Sequence, residues 1–311
     1  PLVEVLPTAG EVVSERTVPE LGVTEWTLAN GVRVVLKPTD FQNNQILFDS
    51  FSPGGHSLVP DADYIAAVTA TDVMREGGLG DFDQTQLRRK LAGKVVQVSP
   101  QIGELQESVS GRASPEDVET LFQLIYLTFT APRQDSLAFL SFQTFLRDAL
   151  ENSSASPQSA FSDTIQVTMT QHHFRARPVT AEIVNEMDFE KSVAIYRDRF
   201  ADAGDFTFFF VGNLELDTLK PLVQTYLGGL PSAGRQETWG NVGVRPPEGV
   251  IEKIVRRGLE PSSQTQILFT GPFEWSRQNR FELNAMVRLL QIKLRETLRE
   301  DLGQTYGASV R

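Results

Sequence analysis

The stretch VTEWTLANGVRVVLKP (residues 23–38) contains two runs in which apolar and polar side chains alternate around a central Asn30-Gly31. Alternation with a period of two is typical of a strand with one buried face. Asn-Gly is the dipeptide that best accommodates the positive φ angles of a two-residue hairpin turn. The stretch therefore predicts an antiparallel β-hairpin, from which a sheet extends.

Further strands are predicted on both sides of this hairpin. NQILFDSFS (residues 44–52) predicts a third strand, and VVQVSPQIGELQESVSGRA (residues 95–113) predicts two more. DFTFFFVGN (residues 205–213) contains three consecutive phenylalanines, a pattern typical of a strand buried on both faces. Together these runs predict one sheet of several strands.

Helical patterns occur in blocks rather than alternating singly with the strands. Capping residues, helix-stop glycines and apolar residues at a spacing of three or four predict helices over 61–76, 84–93, 115–129, 135–151, from 157, over 188–202 and over 216–229. Hairpins combined with segregated helices favour an α+β fold. We expect a mostly antiparallel sheet with the helices packed on one face.

One segment, LPSAGRQETWGNVGVRPPEG (residues 230–249), is rich in Pro and Gly and has no apolar period, which is typical of a domain boundary. Strands near 250–257 and 264–270, a helix from Ser276 to about Arg299 and a strand from Tyr306 would follow it. The predicted organisation is an arm or linker at 1–20, a complete domain at 21–232, a linker at 233–249 and the truncated start of a second, related domain at 250–311.

Composition excludes several classes of function. The 311 residues carry a net charge of −11, which disfavours binding to nucleic acid because phosphates require clustered Lys and Arg. No apolar run is long enough to span a bilayer, and residues 1–20 lack the basic and apolar regions of a signal peptide. Without any Cys, neither disulfides nor a cysteine-ligated zinc site is expected.

Histidine limits metal chemistry further. The chain has three histidines, His56, His172 and His173, and no two of them are spaced for an H-x-x-E-H or H-E-x-x-H helix. Adjacent residues point to different sides of a regular element. We therefore expect His172 and His173 to be part of a polar loop.

Four stretches in order resemble the pitrilysin/insulinase-type (inverzincin) zinc metallopeptidases. They are LANGVRVVLKP, PGGHSLVPDADYIAAVTATDVMREGGLG, FTFFFVGNLELDTLKPLVQTYLGGLPS and the C-terminal GLEPSSQTQILFTGPF…LLQIKLRETLREDLGQTYGASVR. The chain is most similar to the metal-free C-terminal half of the PqqL-like bacterial members. The resemblance implies mitochondrial-processing-peptidase-like α+β domains, Zn²⁺ in a separate N-terminal catalytic half, peptide or unfolded polypeptide as substrate, and a periplasmic location.

The family's zinc motif can be registered on this sequence. Aligning the glycines of MREGG places Val68, Thr71 and Asp72 at the positions of the His, Glu and His of H-x-x-E-H, and registering on Pro157 places Ala149 at the remaining ligand. Hydrolytic zinc needs three protein ligands and a water. The resemblance therefore implies no metal and no cofactor in this chain, and no peptide hydrolysis by the chain alone.

The C-terminal segment keeps another family feature. The spacing Arg299-E-D-L-G-Q-T-Tyr306 matches an Arg and a Tyr that, in the family, reach from the metal-free half to the zinc site of the other half. The resemblance implies that Arg299 and Tyr306 assist catalysis in trans, with the Tyr hydroxyl stabilising the oxyanion. Without the resemblance, the same residues fit a helix end and the start of a strand. A non-catalytic scaffold subunit and a peptide-binding module remain as alternatives.

Overall fold

A computed structural model describes residues 1–154, 156–259, 262–301, 303 and 307–311 of the chain. The chain divides into two compact units, Pro1–Leu259 and Glu260–Arg311. The domain boundaries predicted from the sequence stay a prediction. Among the described residues, none of the helices combines the length and apolar character that crossing a bilayer requires.

The predicted hairpin is confirmed. Its strands are β2, Val23–Leu28, and β3, Arg33–Pro38. Gly31 has a φ of 87°, a left-handed value that glycine adopts at little cost. The Asn30 amide donates to the carbonyl oxygens of Leu227 and Leu230 at 2.9 and 3.1 Å, so the turn is also tied to a distant part of the unit.

The first unit contains a seven-stranded sheet. Besides β2 and β3, its strands are β1 (Val12–Val18), β4 (Ile46–Pro53), β5 (Val96–Ile102), β6 (Gln106–Ala113) and β7 (Thr207–Gly212). The spatial order is β1-β2-β3-β7-β4-β6-β5, and the strand pairs are antiparallel except for the parallel pair β3–β7. The predicted α+β class with a mostly antiparallel sheet is therefore confirmed.

Helices cover one face of this sheet. The helices of the first unit are α1 (Tyr64–Gly77), α2 (Gln84–Lys90), α3 (Val118–Thr130), α4 (Ser136–Ser154), α5 (Pro157–Met169), α6 (Phe189–Arg199) and α7 (Leu216–Leu222), which continues as a π-helical turn, Val223–Leu227. Apolar residues of α1, α3 and α6 join those of the strands in one core. At its centre, the ring of Phe210 lies 5.0 Å from the rings of both Phe48 and Phe122.

The described residues of the second unit include a long helix. Helix α8 spans Arg277–Leu294, with Ser276 Oγ accepting a capping hydrogen bond from Asn279 N, and it continues as a π-helical turn, Arg295–Asp301. The helix prediction is confirmed.

The strands predicted near 250–257 and 264–270 are wrong, because the structure has no strand over these residues. Extended backbone becomes a strand only when a neighbour completes its hydrogen bonds. For residues 264–270, the described part of the second unit contains no strand that could do so.

Candidate functional site

The positions registered on the zinc motif lie on α1 and α4 of the first unit. Val68 and Ala149 carry no atom that ligates a metal. The Asp72 carboxylate lies 2.7 Å from the Arg75 guanidinium one turn along α1. Within the described residues, no group of three His, Cys, Asp or Glu side chains could hold a metal ion. These residues do not fit a zinc site, which needs three protein ligands.

The three histidines lie on turns. His56 belongs to a 3-10 turn, and its ring meets the ring of Tyr64 edge-on at 5.3 Å. Burial lowers the pKa of His56. His172 and His173 follow α5 in a turn, as predicted, where His173 Nδ1 accepts a hydrogen bond from Arg175 N at 3.2 Å.

The predicted catalytic pair is only partly described. Arg299 lies in the π-helical turn after α8, with an exposed side chain. Tyr306 lies outside the described residues. The role of both residues in trans stays a prediction.

The first unit also has an uncovered sheet face, opposite the helices, that was not predicted from the sequence. We call it the open face and define it by alternate residues of five adjacent strands: Arg33, Val35 and Lys37; Thr207, Phe209 and Val211; Leu47, Asp49 and Phe51; Ser108, Ser110 and Arg112; Gln97, Ser99 and Gln101. A hollow of about 640 Å³ lies over the part of this face formed by β4, β5, β6 and β7.

Apolar side chains on the open face are only partly buried. Leu47 is 48% and Phe51 41% exposed, and the Phe51 ring stacks on that of Phe209 at 5.9 Å. The prediction that the Phe208–Phe210 run is buried on both faces is wrong for Phe209, which is half-buried. Its neighbours Phe208 and Phe210 point to the helices and are fully buried.

Apolar residues on both sides of β4 could have indicated the open face. Ile46 and Phe48 alternate with Leu47 and Phe51, so apolar residues occur on both sides of one strand. Such a pattern predicts either two covered faces or one covered face and an apolar surface. The structure shows the second arrangement.

A charge network at the edge of the first unit also escaped the sequence analysis. The Arg199 side chain is 6% exposed and lies 2.8 Å from Glu237 and 2.6 Å from Asp198. Nearby, Glu107 is 1% exposed, and its carboxylate accepts a hydrogen bond from Gly55 N at 2.7 Å. Burial raises the pKa of Glu107 to about 7, although the Gly55 bond and the Arg199 charge oppose the rise.

This network fixes part of the segment that the sequence predicts to be a linker. Besides the Glu237 carboxylate, the backbone N–H groups of Arg235 and Gly240 bond to other parts of the first unit, donating to Asp202 at 2.5 Å and to Ser57 Oγ at 2.9 Å. At these points the segment is therefore held against the rest of the first unit, to which it belongs.

Residues 190–311 match the family model described as the peptidase M16 inactive domain. A zinc protease PQQL-like protein of Arabidopsis thaliana is 26% identical over 98% of the chain and 30% of its own length. The chain is homologous to PqqL-like zinc proteases.

Two further PqqL proteins are also similar to this chain. "Probable zinc protease PqqL" of Haemophilus influenzae is 23% identical over 92% of the chain and 31% of its own length. The crystal structure of the periplasmic protease PqqL from Escherichia coli matches the whole chain with a TM-score of 0.79 at 22% identity, over 34% of that protein, which shows the shared fold. The chain thus spans about a third of the length of these PqqL-like relatives.

Proposed function

We propose that this chain is the non-catalytic C-terminal portion of a zinc metalloendopeptidase, and that it encloses peptide substrates opposite an N-terminal catalytic half. In this proposal the other half holds the Zn²⁺, and Arg299 and Tyr306 assist its chemistry in trans. The homology to PqqL-like zinc proteases supports the class of the parent protein. A periplasmic location is proposed from the E. coli relative, a periplasmic protease.

The observation that carries the proposal is the open face. Within the described residues of the first unit, helices cover the sheet on one side only, and partly exposed Leu47 and Phe51 on the other side leave apolar surface that a peptide can cover. Exposed Ser110 and half-buried Ser99 on the same face can donate or accept hydrogen bonds. Such a surface suits extended peptides, since side-chain hydroxyls can pair with peptide groups.

The zinc-motif positions support the non-catalytic assignment. Val68 and Ala149 supply no ligand, and Asp72 is paired with Arg75. This portion of the protein therefore acts by binding and positioning. A Tyr hydroxyl aimed at the developing oxyanion is a donor that needs no charge, and one such donor in a closed site gives a rate effect of about 10²-fold.

Replacing Tyr306 with Phe tests the assistance in trans. The chain is combined with the catalytic half, and kcat/KM is measured for an unstructured peptide. We expect the Tyr306→Phe variant to lose about 10²-fold in kcat/KM, mainly through kcat, because the missing bond forms with the transition state.

Arg88→Gln, on exposed helix α2, serves as the control and should retain activity. A Tyr306→Phe variant within about twofold of the unmodified protein would show that Tyr306 donates nothing to the transition state. A combined protein that binds peptide without cleaving it would instead favour the scaffold or peptide-binding alternative.

A further inference from the structure

The charges of the open face differ from those of the chain as a whole. The chain has a net charge of −11, but the fifteen open-face positions hold three cations, Arg33, Lys37 and Arg112, and one carboxylate, Asp49. A locally cationic surface on an acidic protein attracts anionic segments and disfavours cationic ones. The face is therefore suited to selecting its partner by charge.

These cations are available to a partner. Arg33 and Arg112 are exposed and Lys37 is half-buried. In the part of the chain that the structure describes, the ion pairs within 4.0 Å involve other cations, such as Arg16 and Lys220 on and near β1 and β2. Arg33, Lys37 and Arg112 take part in none of these ion pairs; Glu25 on β2 and Asp49 on β4 are the carboxylates nearest to them along the strand register of this face.

The strand register sets the spacing of two of these cations. Lys37 lies beside Val211, Val211 beside Leu47, and Leu47 beside Arg112, so the four residues form one row across β3, β7, β4 and β6. Adjacent strands lie about 4.8 Å apart, which separates the Cα atoms of Lys37 and Arg112 by about 14 Å. The row thus has a cation at each end and an apolar centre.

An extended peptide matches this row. Its residues advance about 3.3 Å each, so the first and fifth side chains of a five-residue stretch are about 13 Å apart and point to the same side, as does the third. Building on the proposed function, we propose that the open face selects peptide segments with two acidic side chains four residues apart and an apolar side chain midway. The acidic groups meet Lys37 and Arg112, and the apolar group covers Val211 and Leu47.

Asp49 disfavours peptides with an acidic side chain at the centre of the row. Its exposed carboxylate lies on β4 two residues from Leu47, in the next row toward the middle of the face. A third acidic side chain over the centre would approach this carboxylate and be repelled, whereas an apolar one would not. Acidic groups are thus favoured at the ends of the row and disfavoured at its middle.

Fluorescence-labelled peptides with the core Glu-Ser-Phe-Ser-Glu test this inference on the full chain. Matched peptides carry Gln or Lys in place of both Glu residues. We expect the Glu peptide to bind at least about fivefold more tightly than the Lys peptide at low ionic strength, since each exposed charge pair contributes modestly. Added salt should reduce this ratio because it screens exposed charges.

The double variant Lys37→Gln/Arg112→Gln tests whether these two cations cause the preference for acidic peptides. We expect it to bind the Glu and Gln peptides equally, while Arg88→Gln/Arg89→Gln, which removes two charges from exposed positions of α2, keeps the preference for Glu. Equal binding of the three peptides to the unmodified chain overturns the charge selection but leaves peptide enclosure standing. A Glu preference that survives the double variant also overturns it, and absence of binding by every peptide overturns the proposed function itself.

Discussion

The two faces of the seven-stranded sheet are built from the same strands, yet they differ in what their side chains do. On the covered face, Phe48 and Phe210 are buried among helices and hold the unit together. On the open face, Phe51 and Phe209 stack on each other and remain partly exposed. Since successive residues of a strand point to opposite faces, neighbouring positions can serve stability and binding separately.

Replacing two adjacent phenylalanines on β7 gives the largest expected difference between the faces. Phe210→Ala removes a fully buried ring and leaves a cavity, so we expect it to lower the free energy of unfolding by about 3–5 kcal/mol. Phe209→Ala removes a half-buried ring and should cost about 1 kcal/mol. Urea unfolding of both variants measures the difference. Equal losses would mean that the open face is covered in solution.

Much of this arrangement follows from local sequence patterns. Asn30-Gly31 predicts the hairpin because only a few dipeptides suit its turn, and the alternation on β2 and β3 assigns their faces. Ser276 marks the start of α8 because its hydroxyl caps a free N–H group. These features are local, so a single sequence contains the information needed to predict them.

Other features depend on contacts that the sequence does not display. The order of β7 between β3 and β4 brings together residues far apart in the chain, so neither the row from Lys37 to Arg112 nor the stacking of Phe51 on Phe209 was predictable. The strands expected at 250–257 and 264–270 failed for the same reason, since strand formation depends on a pairing partner. Tyr306, predicted from a resemblance, lies outside the described residues.

A buried carboxylate on the covered face makes the stability of the first unit depend on pH. Glu107, on the covered side of β6, has its pKa raised from 4.5 to about 7, so ionising it in the folded state costs free energy. Its contribution to stability is complete below about pH 4.5 and is lost as the pH rises through about 7. We therefore expect the free energy of unfolding to fall by up to about 3 kcal/mol between about pH 4.5 and pH 8.

Glu107→Gln should remove this fall, because its amide does not titrate and can still accept the bond from Gly55 N. Asp49→Asn, the exposed counterpart on the open face, should retain the pH dependence of the unmodified protein. Urea unfolding across this pH range gives the slopes. An unchanged slope in Glu107→Gln would mean that the dependence arises from another group.

Two serines give the smallest expected difference between the faces. Ser50, on the covered side of β4, is fully buried, and its hydroxyl donates to Val109 O at 3.0 Å and accepts from Val109 N at 3.1 Å. Ser50→Ala leaves buried backbone groups of Val109 with fewer partners and should cost about 1–2 kcal/mol. Ser110, on the open face, is exposed, and Ser110→Ala should change the free energy of unfolding by less than about 0.5 kcal/mol. Because the hydroxyl of Ser110 is proposed to contact the peptide, Ser110→Ala should weaken peptide binding. Ser50→Ala should leave peptide binding unchanged under conditions where the variant is folded. Loss of stability in Ser110→Ala with no loss of binding would reverse the roles assigned to the two faces.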